Sequence, residues 1–197
     1  MPEVIRTIVY TLDELDSHAK ERARDWYRQA SNDDDWHESV FEDFERICEI
    51  LGVELATRTV RLYGGGTRQK PCIWFSGFSS QGDGACFEGS YSYRNGAARN
   101  IRAYAPKDER LAAIADQLQQ IQRKNLYALE ARMTHRGRCY HQYCMDISVE
   151  RTSETYQSPT QDAEEIATDA LRDLARWLYR QLEREYEYQT SDEVVDE

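Results

Sequence analysis

Residues 71–93 read PCIWFSGFSSQGDGACFEGSYSY. Two strand-like runs flank a loop rich in Gly, Ser and Asp. The first run, Cys72 to Phe78, is dense in aromatic and β-branched residues. The second, Ala85 to Tyr93, sets Phe87, Gly89, Tyr91 and Tyr93 on one side and Cys86, Glu88, Ser90 and Ser92 on the other. Successive residues of a strand face opposite ways, so this stretch predicts the middle hairpin of an antiparallel sheet.

Working outward, Val53 to Tyr63 reads as a strand that ends in the flexible turn Gly64-Gly65-Gly66. Arg94-Asn95-Gly96 is a turn signal. Leu126 to Arg136 and Arg138 to Glu150 form a second predicted hairpin around Gly137. A short strand is also expected at Val4 to Tyr10, where apolar and polar residues alternate.

The flanks carry helical spacing. Thr11-Leu-Asp-Glu14 has the form of a capping box, and a helix to about Ala30 follows, with a stripe of Leu12, Leu15, Ala19, Ala23, Trp26 and Ala30. Trp36 to Leu51 is the second helix, burying Trp36, Val40, Phe44, Ile47 and Leu51, with Gly52 as its stop. Pro106 suits the first turn of a third, with a stripe from Leu111 to Ile121. Pro159 opens the longest, to about Tyr188, with a stripe of Ala163, Ile166, Ala167, Ala170, Leu171, Leu174, Trp177, Leu178 and Leu182, and residues 191–197 read as a frayed tail.

The 197 residues and 40% hydrophobic content suit one globular domain. No long apolar run predicts a membrane span, and the N-terminus lacks the basic and apolar segments of a signal peptide. Five scattered cysteines do not make a disulfide framework. A cytoplasmic protein with reduced thiols is expected.

The net charge is −11 and unevenly distributed. Residues 1–52 carry 14 Asp/Glu against 6 Lys/Arg, and residues 160–197 carry 12 against 4. Residues 53–159 carry 10 against 15. A basic, sheet-rich middle therefore lies between acidic, helical ends. The acidic balance opposes non-specific nucleic-acid binding, while the basic middle leaves room for a local anionic site.

Few motifs carry chemistry. Gly82-Asp83-Gly84 lacks the lysine and following helix of a phosphate loop and the repeated oxygen ligands of a calcium loop, so it reads as a tight turn. His135, Cys139, His141 and Cys144 lie close in sequence. On a strand, however, Cys139, His141 and Tyr143 would share one face and Cys144 the other, which argues against zinc. Cys86 or Cys139 with His141 lacks a positioned third group, and Ser76 lacks the flanking glycines of a nucleophile elbow. No catalytic residue, metal or cofactor is assigned.

Two surfaces remain. Asp33, Asp34, Asp35, Glu38, Glu42, Asp43 and Glu45, with the C-terminal acids, form an acidic face that could meet a basic partner. Arg58, Arg61, Arg68, Lys70, Arg94, Arg99 and Arg102 surround the central hairpin. Asp83, Tyr91, Arg94 and Arg99 are the alternative site, for a nucleotide or nucleic acid. The simpler reading of these arginines is ion pairing with the chain's own acidic helices.

Five stretches carry a resemblance: Glu21 to Arg28, Phe75 to Gly89, Tyr104 to Arg110, His135 to His141 and Tyr179 to Tyr188. In that order they resemble a family of small phage- and prophage-encoded proteins often labelled "antitoxin of toxin–antitoxin stability system". The resemblance spans nearly the whole chain and implies origin in a mobile element, with no catalytic residues to carry over. It points to an accessory protein that binds and blocks a host complex.

The sequence thus predicts an α+β domain over residues 1–197. An antiparallel sheet of about five or six strands, with two hairpins, carries four helices. The expected function is non-catalytic: stoichiometric inhibition of a bacterial defence complex, anti-CRISPR-like, or of a toxin. The partner would be a host protein or protein–RNA complex with a basic surface.

Overall fold

The computed structural model describes residues 8–30, 35–152 and 157–196. They form an α+β fold in two compact units, residues 1–38 with 184–197 and residues 39–183.

In the larger unit, helix α2 (Glu38–Leu51, its first residue in the smaller unit) ends as expected at Gly52. There φ is +88°, and the N–H of Gly52 donates to the Cys48 carbonyl at 3.0 Å. The next strands are short: β1 (Val53–Leu55), β2 (Thr57–Arg61), β3 (Thr67–Pro71), β4 (Ile73–Phe75), β5 (Ala85–Phe87) and β6 (Gly89–Ser92). Then come α3 (Ala97–Tyr104), α4 (Glu109–Lys124), β7 (Leu129–His135), β8 (Met145–Arg151) and α5 (Ala163–Gln189), whose last residues belong to the smaller unit.

The predicted central hairpin is present as β4 paired antiparallel with β5, Trp74 opposite Cys86. The single sheet of five or six strands is not. A four-stranded antiparallel sheet in the order β1-β6-β7-β8 stands beside two separate two-stranded ribbons, β2-β3 and β4-β5. The reason lies at three residues. Ala56 N–H donates to the Glu88 carbonyl (2.8 Å), Cys72 N–H to the Ala56 carbonyl (2.7 Å) and Glu88 N–H to the Cys72 carbonyl (2.9 Å). Each of three extended segments changes pairing partner at this closed ring, so three ribbons diverge from one hub. The N–H and C=O of all three residues are used in the ring itself, so none of the six groups is left unpaired where the strands part.

Alternation along β7 shows how the main sheet is covered. Leu129, Ala131 and Met133 are buried, while Glu130 and Arg132 are exposed. Ile121 of α4 and Ala163 of α5 pack with Leu129 in one apolar cluster. The stripe predicted for the longest helix is buried at Ala163, Ala167, Ala170, Leu171, Leu174, Trp177, Leu178 and Leu182 and half-buried at Ile166. Phe44 of α2 meets Phe87 at 5.4 Å and Trp177 at 6.5 Å between ring centres, tying helix to hairpin.

Three boundaries differ from expectation, and one helix was not expected. The helix assigned to Pro106 starts at Glu109, because Asp108 caps it by accepting the Leu111 N–H at 2.9 Å. The expected turn at Arg94-Asn95-Gly96 is followed at once by α3. The strand expected from Leu126 begins at Leu129, since Leu126 and Tyr127 hold positive φ of 56° and 61°, which ends extended structure. The strand expected from Arg138 begins only at Met145, after a 3-10 turn at Gln142–Cys144.

In the smaller unit, the predicted box at Thr11 and Glu14 closes a 3-10 turn, Leu12–Glu14. Thr11 N–H donates to Glu14 Oε2 at 2.8 Å. Helix α1 (Ser17–Ala30) follows. Its predicted apolar stripe is half-buried at Leu12, Leu15, Ala19 and Ala23, but Trp26 is 71% exposed. Half-buried Lys20, Arg24 and Arg28 flank Ala19 and Ala23. Those cations hold a short helix α6 (Asp192–Asp196), where a frayed tail was expected. Arg24 clasps Asp196 through two bonds of 2.7 and 2.6 Å and reaches Asp192 at 2.8 Å. Residues 8–10 are not a strand, and the rest of that predicted element, Val4 to Thr7, lies outside the described residues.

Candidate functional site

The alternative ligand site predicted from sequence does not assemble. Tyr91 points into the core, 3% exposed, and burial pushes its phenol up to about 12 against the opposing hydrogen bond of Gln122. Asp83 closes its own loop: its Oδ2 accepts the N–H groups of Ser79 (2.9 Å) and Ser80 (2.6 Å). Arg94 donates to the Glu49 carbonyl at 2.6 Å, locking the end of α2. Arg99 is exposed on α3. Each has different neighbours, so the four do not converge on one ligand.

The Cys/His stretch also differs from its sequence reading. Residues 136–144 are a loop closed by a 3-10 turn, so strand faces do not apply. His135 Nε2 bonds the Cys139 carbonyl at 2.9 Å, and its ring lies 5.5 Å from Trp74. His141 Nδ1 accepts the Tyr143 N–H at 3.3 Å. Among the described residues no three His, Cys, Asp or Glu side chains gather as a metal site. Cys86 is buried, and its thiol is pushed up to about 12 by burial and then by Cys144 and Glu88. A thiolate nucleophile needs the opposite shift. Ser76 Oγ accepts the Gly84 N–H at 3.0 Å, a structural bond across the loop.

The acidic surface is partly described. Asp33 and Asp34 lie outside the described residues. Asp35 and Glu42 are exposed, and Glu38 is half-buried in the first turn of α2. Asp43 accepts a hydrogen bond from the Tyr104 hydroxyl and is therefore engaged within the chain. Glu45, which the sequence reading included, and Glu49, which it missed, stand three and seven residues beyond Glu42 on the same helix face. Burial, then Glu42 and Glu49, push the Glu45 carboxyl above its ordinary range. Arg68 opposes this from beyond ion-pair distance, and Arg46 pairs with Glu49 at 2.7 Å. The spacing of acids along the predicted helix was the signal that could have found this ridge.

A second acidic region is the uncovered face of the main sheet. It forms an open groove of about 820 Å³ whose walls include Glu54, Glu88, Glu130, Arg132, Ser148 and Glu150. Carboxylates dominate it, which suits a cationic partner.

The basic middle is placed differently from its simpler reading. Arg58 and Lys70 stand opposite each other in the β2-β3 ribbon, and Arg68 lies opposite Val60 on the same face. Among the described residues, none of Arg58, Arg61, Arg68 and Lys70 comes within 4.0 Å of a carboxylate. The expected ion pairing with the acidic helices is thus absent there at contact distance, although Arg68 still acts on Glu45 of α2 through its charge. Arg102 does pair, with Asp116.

These features define an α+β protein with separate acidic and basic surfaces, built on diverging β-ribbons. The chain belongs to the family described as "Domain of unknown function (DUF8835)", whose model matches residues 36–192. No curated protein and no solved structure matches it. Among the described residues no helix is long and apolar enough to cross a membrane.

Proposed function

We propose that the protein acts by stoichiometric surface recognition, as a phage- or prophage-encoded inhibitor of a bacterial defence complex or toxin. Its acidic ridge on α2 meets a basic surface of the partner. The observation that carries this reading is the row Glu42, Glu45 and Glu49 on one face of α2, where burial and then the two neighbouring carboxylates raise the Glu45 carboxyl while Glu42 and Glu49 stay exposed. Like charges held together cost stability, and a cationic partner would relieve that cost. The carboxylate-lined sheet face supports the same direction of charge complementarity. Because opposite charges steer encounter, association should slow as salt rises.

The test is affinity capture from host bacteria, followed by reconstitution with the captured partner. Wild type should inhibit that partner at a one-to-one ratio. Glu42→Lys with Glu45→Lys should weaken binding by about tenfold or more, as loss of close interfacial charge pairs does. Equal inhibition by this variant would remove the ridge from the interface. Reversing Asp33, Asp34 and Asp35 extends the same test to the helix entry.

A further inference from the structure

We infer that the β2-β3 ribbon is an arm that binds double-stranded DNA, its cations on the phosphates and its tip against the bases. This goes beyond the acidic-ridge reading and does not depend on it. Between Glu54 and Asp83 the chain has no Asp or Glu but four cations, Arg58, Arg61, Arg68 and Lys70. The chain as a whole has 36 acids against 25 Lys and Arg, so such a stretch runs against its composition.

The fold gathers these four cations on one hairpin. Register places Arg58 directly across from Lys70, a like-charge pair that weakens an isolated ribbon. Arg58 lies 5.7 Å over the Trp74 ring, which steadies it without neutralising it. The other face carries Arg61 beside Thr59 and Gln69, themselves bonded at 2.9 Å. An anion bound along the arm would relieve the repulsion.

Shape selects among polyanions. Five cross-strand pairs make an arm about 17 Å long and, with side chains, roughly 10 Å wide. The major groove of B-DNA, about 12 Å wide, admits a two-stranded ribbon, whereas the deep, narrow groove of duplex RNA does not. At the tip, Leu62 is 49% exposed and Tyr63 fully exposed. Gly65 and Gly66, both at φ +89°, make the tight reversal that presents them. An exposed apolar tip next to cations has the make-up of a wedge placed against base steps.

The experiment is fluorescence anisotropy of the full chain with a labelled 20-base-pair DNA duplex across a salt series. The same sequence as duplex RNA and as single-stranded DNA gives the comparison. Wild type should bind duplex DNA, preferring it to both. Arg58→Gln/Arg68→Gln/Lys70→Gln should weaken binding at least about tenfold and lower the log–log salt slope by about 2–3, near 0.9 for each phosphate no longer neutralised. Leu62→Ala/Tyr63→Ala should weaken binding with the slope unchanged. Arg68→Gln alone, at an exposed position, keeps the test open if circular dichroism shows the triple variant misfolded, and should lower the slope by about one. Failure to bind at low salt, a preference for RNA or single strand, or an unchanged slope in the folded charge variants overturns the proposal.

Discussion

Asp108 serves two elements with one carboxylate. Its Oδ1 caps α4 at Leu111 N–H, and its Oδ2 accepts the indole N–H of Trp177 on α5 at 2.7 Å. Asp108→Ala removes a cap and leaves a mostly buried indole donor without its acceptor. It should cost about 2–3 kcal/mol, read by denaturant unfolding. In a double-mutant cycle with Trp177→Phe, the two losses should be less than additive, because they share one bond. At this scale the sequence was partly legible. Gly52, the Thr11–Glu14 box and the buried stripe of the longest helix follow from local chemistry, since each uses only residues within one or two turns. Asp108 as cap was missed because Pro106 offered a plausible earlier start. Trp26 was misplaced because helical spacing says which residues share a face, not which face is covered.

The α1–α6 clasp is an element held by charge. The Arg24 hydrogen bond draws the Asp196 carboxyl down to about 2 from an ordinary 3.8. A folded-state value below the unfolded one means the contribution is complete above about pH 4 and lost as pH falls toward 2. Methyl NMR shifts of Val194 and Val195 should therefore report α6 releasing with a midpoint near pH 2. The Arg24→Gln variant should move that midpoint toward 4 or leave the helix unformed. High salt should weaken the clasp, since these groups meet water. Nothing local announces α6, because Asp192 and Asp196 are ordinary acids until α1 supplies their partners. The ribbons were illegible for a related reason. Ala56, Cys72 and Glu88 sit inside continuous strand-like runs, and nothing about their side chains signals a change of partner between main chains far apart in sequence.

Across the whole molecule, the five thiols sort by depth. Cys48, Cys72 and Cys86 are buried, Cys144 is half-buried and Cys139 is exposed. Burial pushes the first three thiols above their ordinary value. In the native state, a thiol reagent should modify Cys139 quickly and Cys144 slowly, and reach the other three only on unfolding. Fast reaction of all five would contradict the packing. The α+β class was legible because period-two and helical spacing occupy different stretches of the chain. The candidate surfaces were legible only as charge totals: which cations meet carboxylates at contact distance depends on which strands and helices the fold brings side by side. The hub also makes the molecule modular. A ring of three main-chain bonds acts as a socket, and the hairpin plugged into it between residues 57 and 71 is paired along its length only to itself, from Thr57 opposite Pro71 to Arg61 opposite Thr67. Grafts of different length or sequence at positions 59–69 should leave the remaining spokes in register, so that the reach of the molecule can change while its body stays as it is.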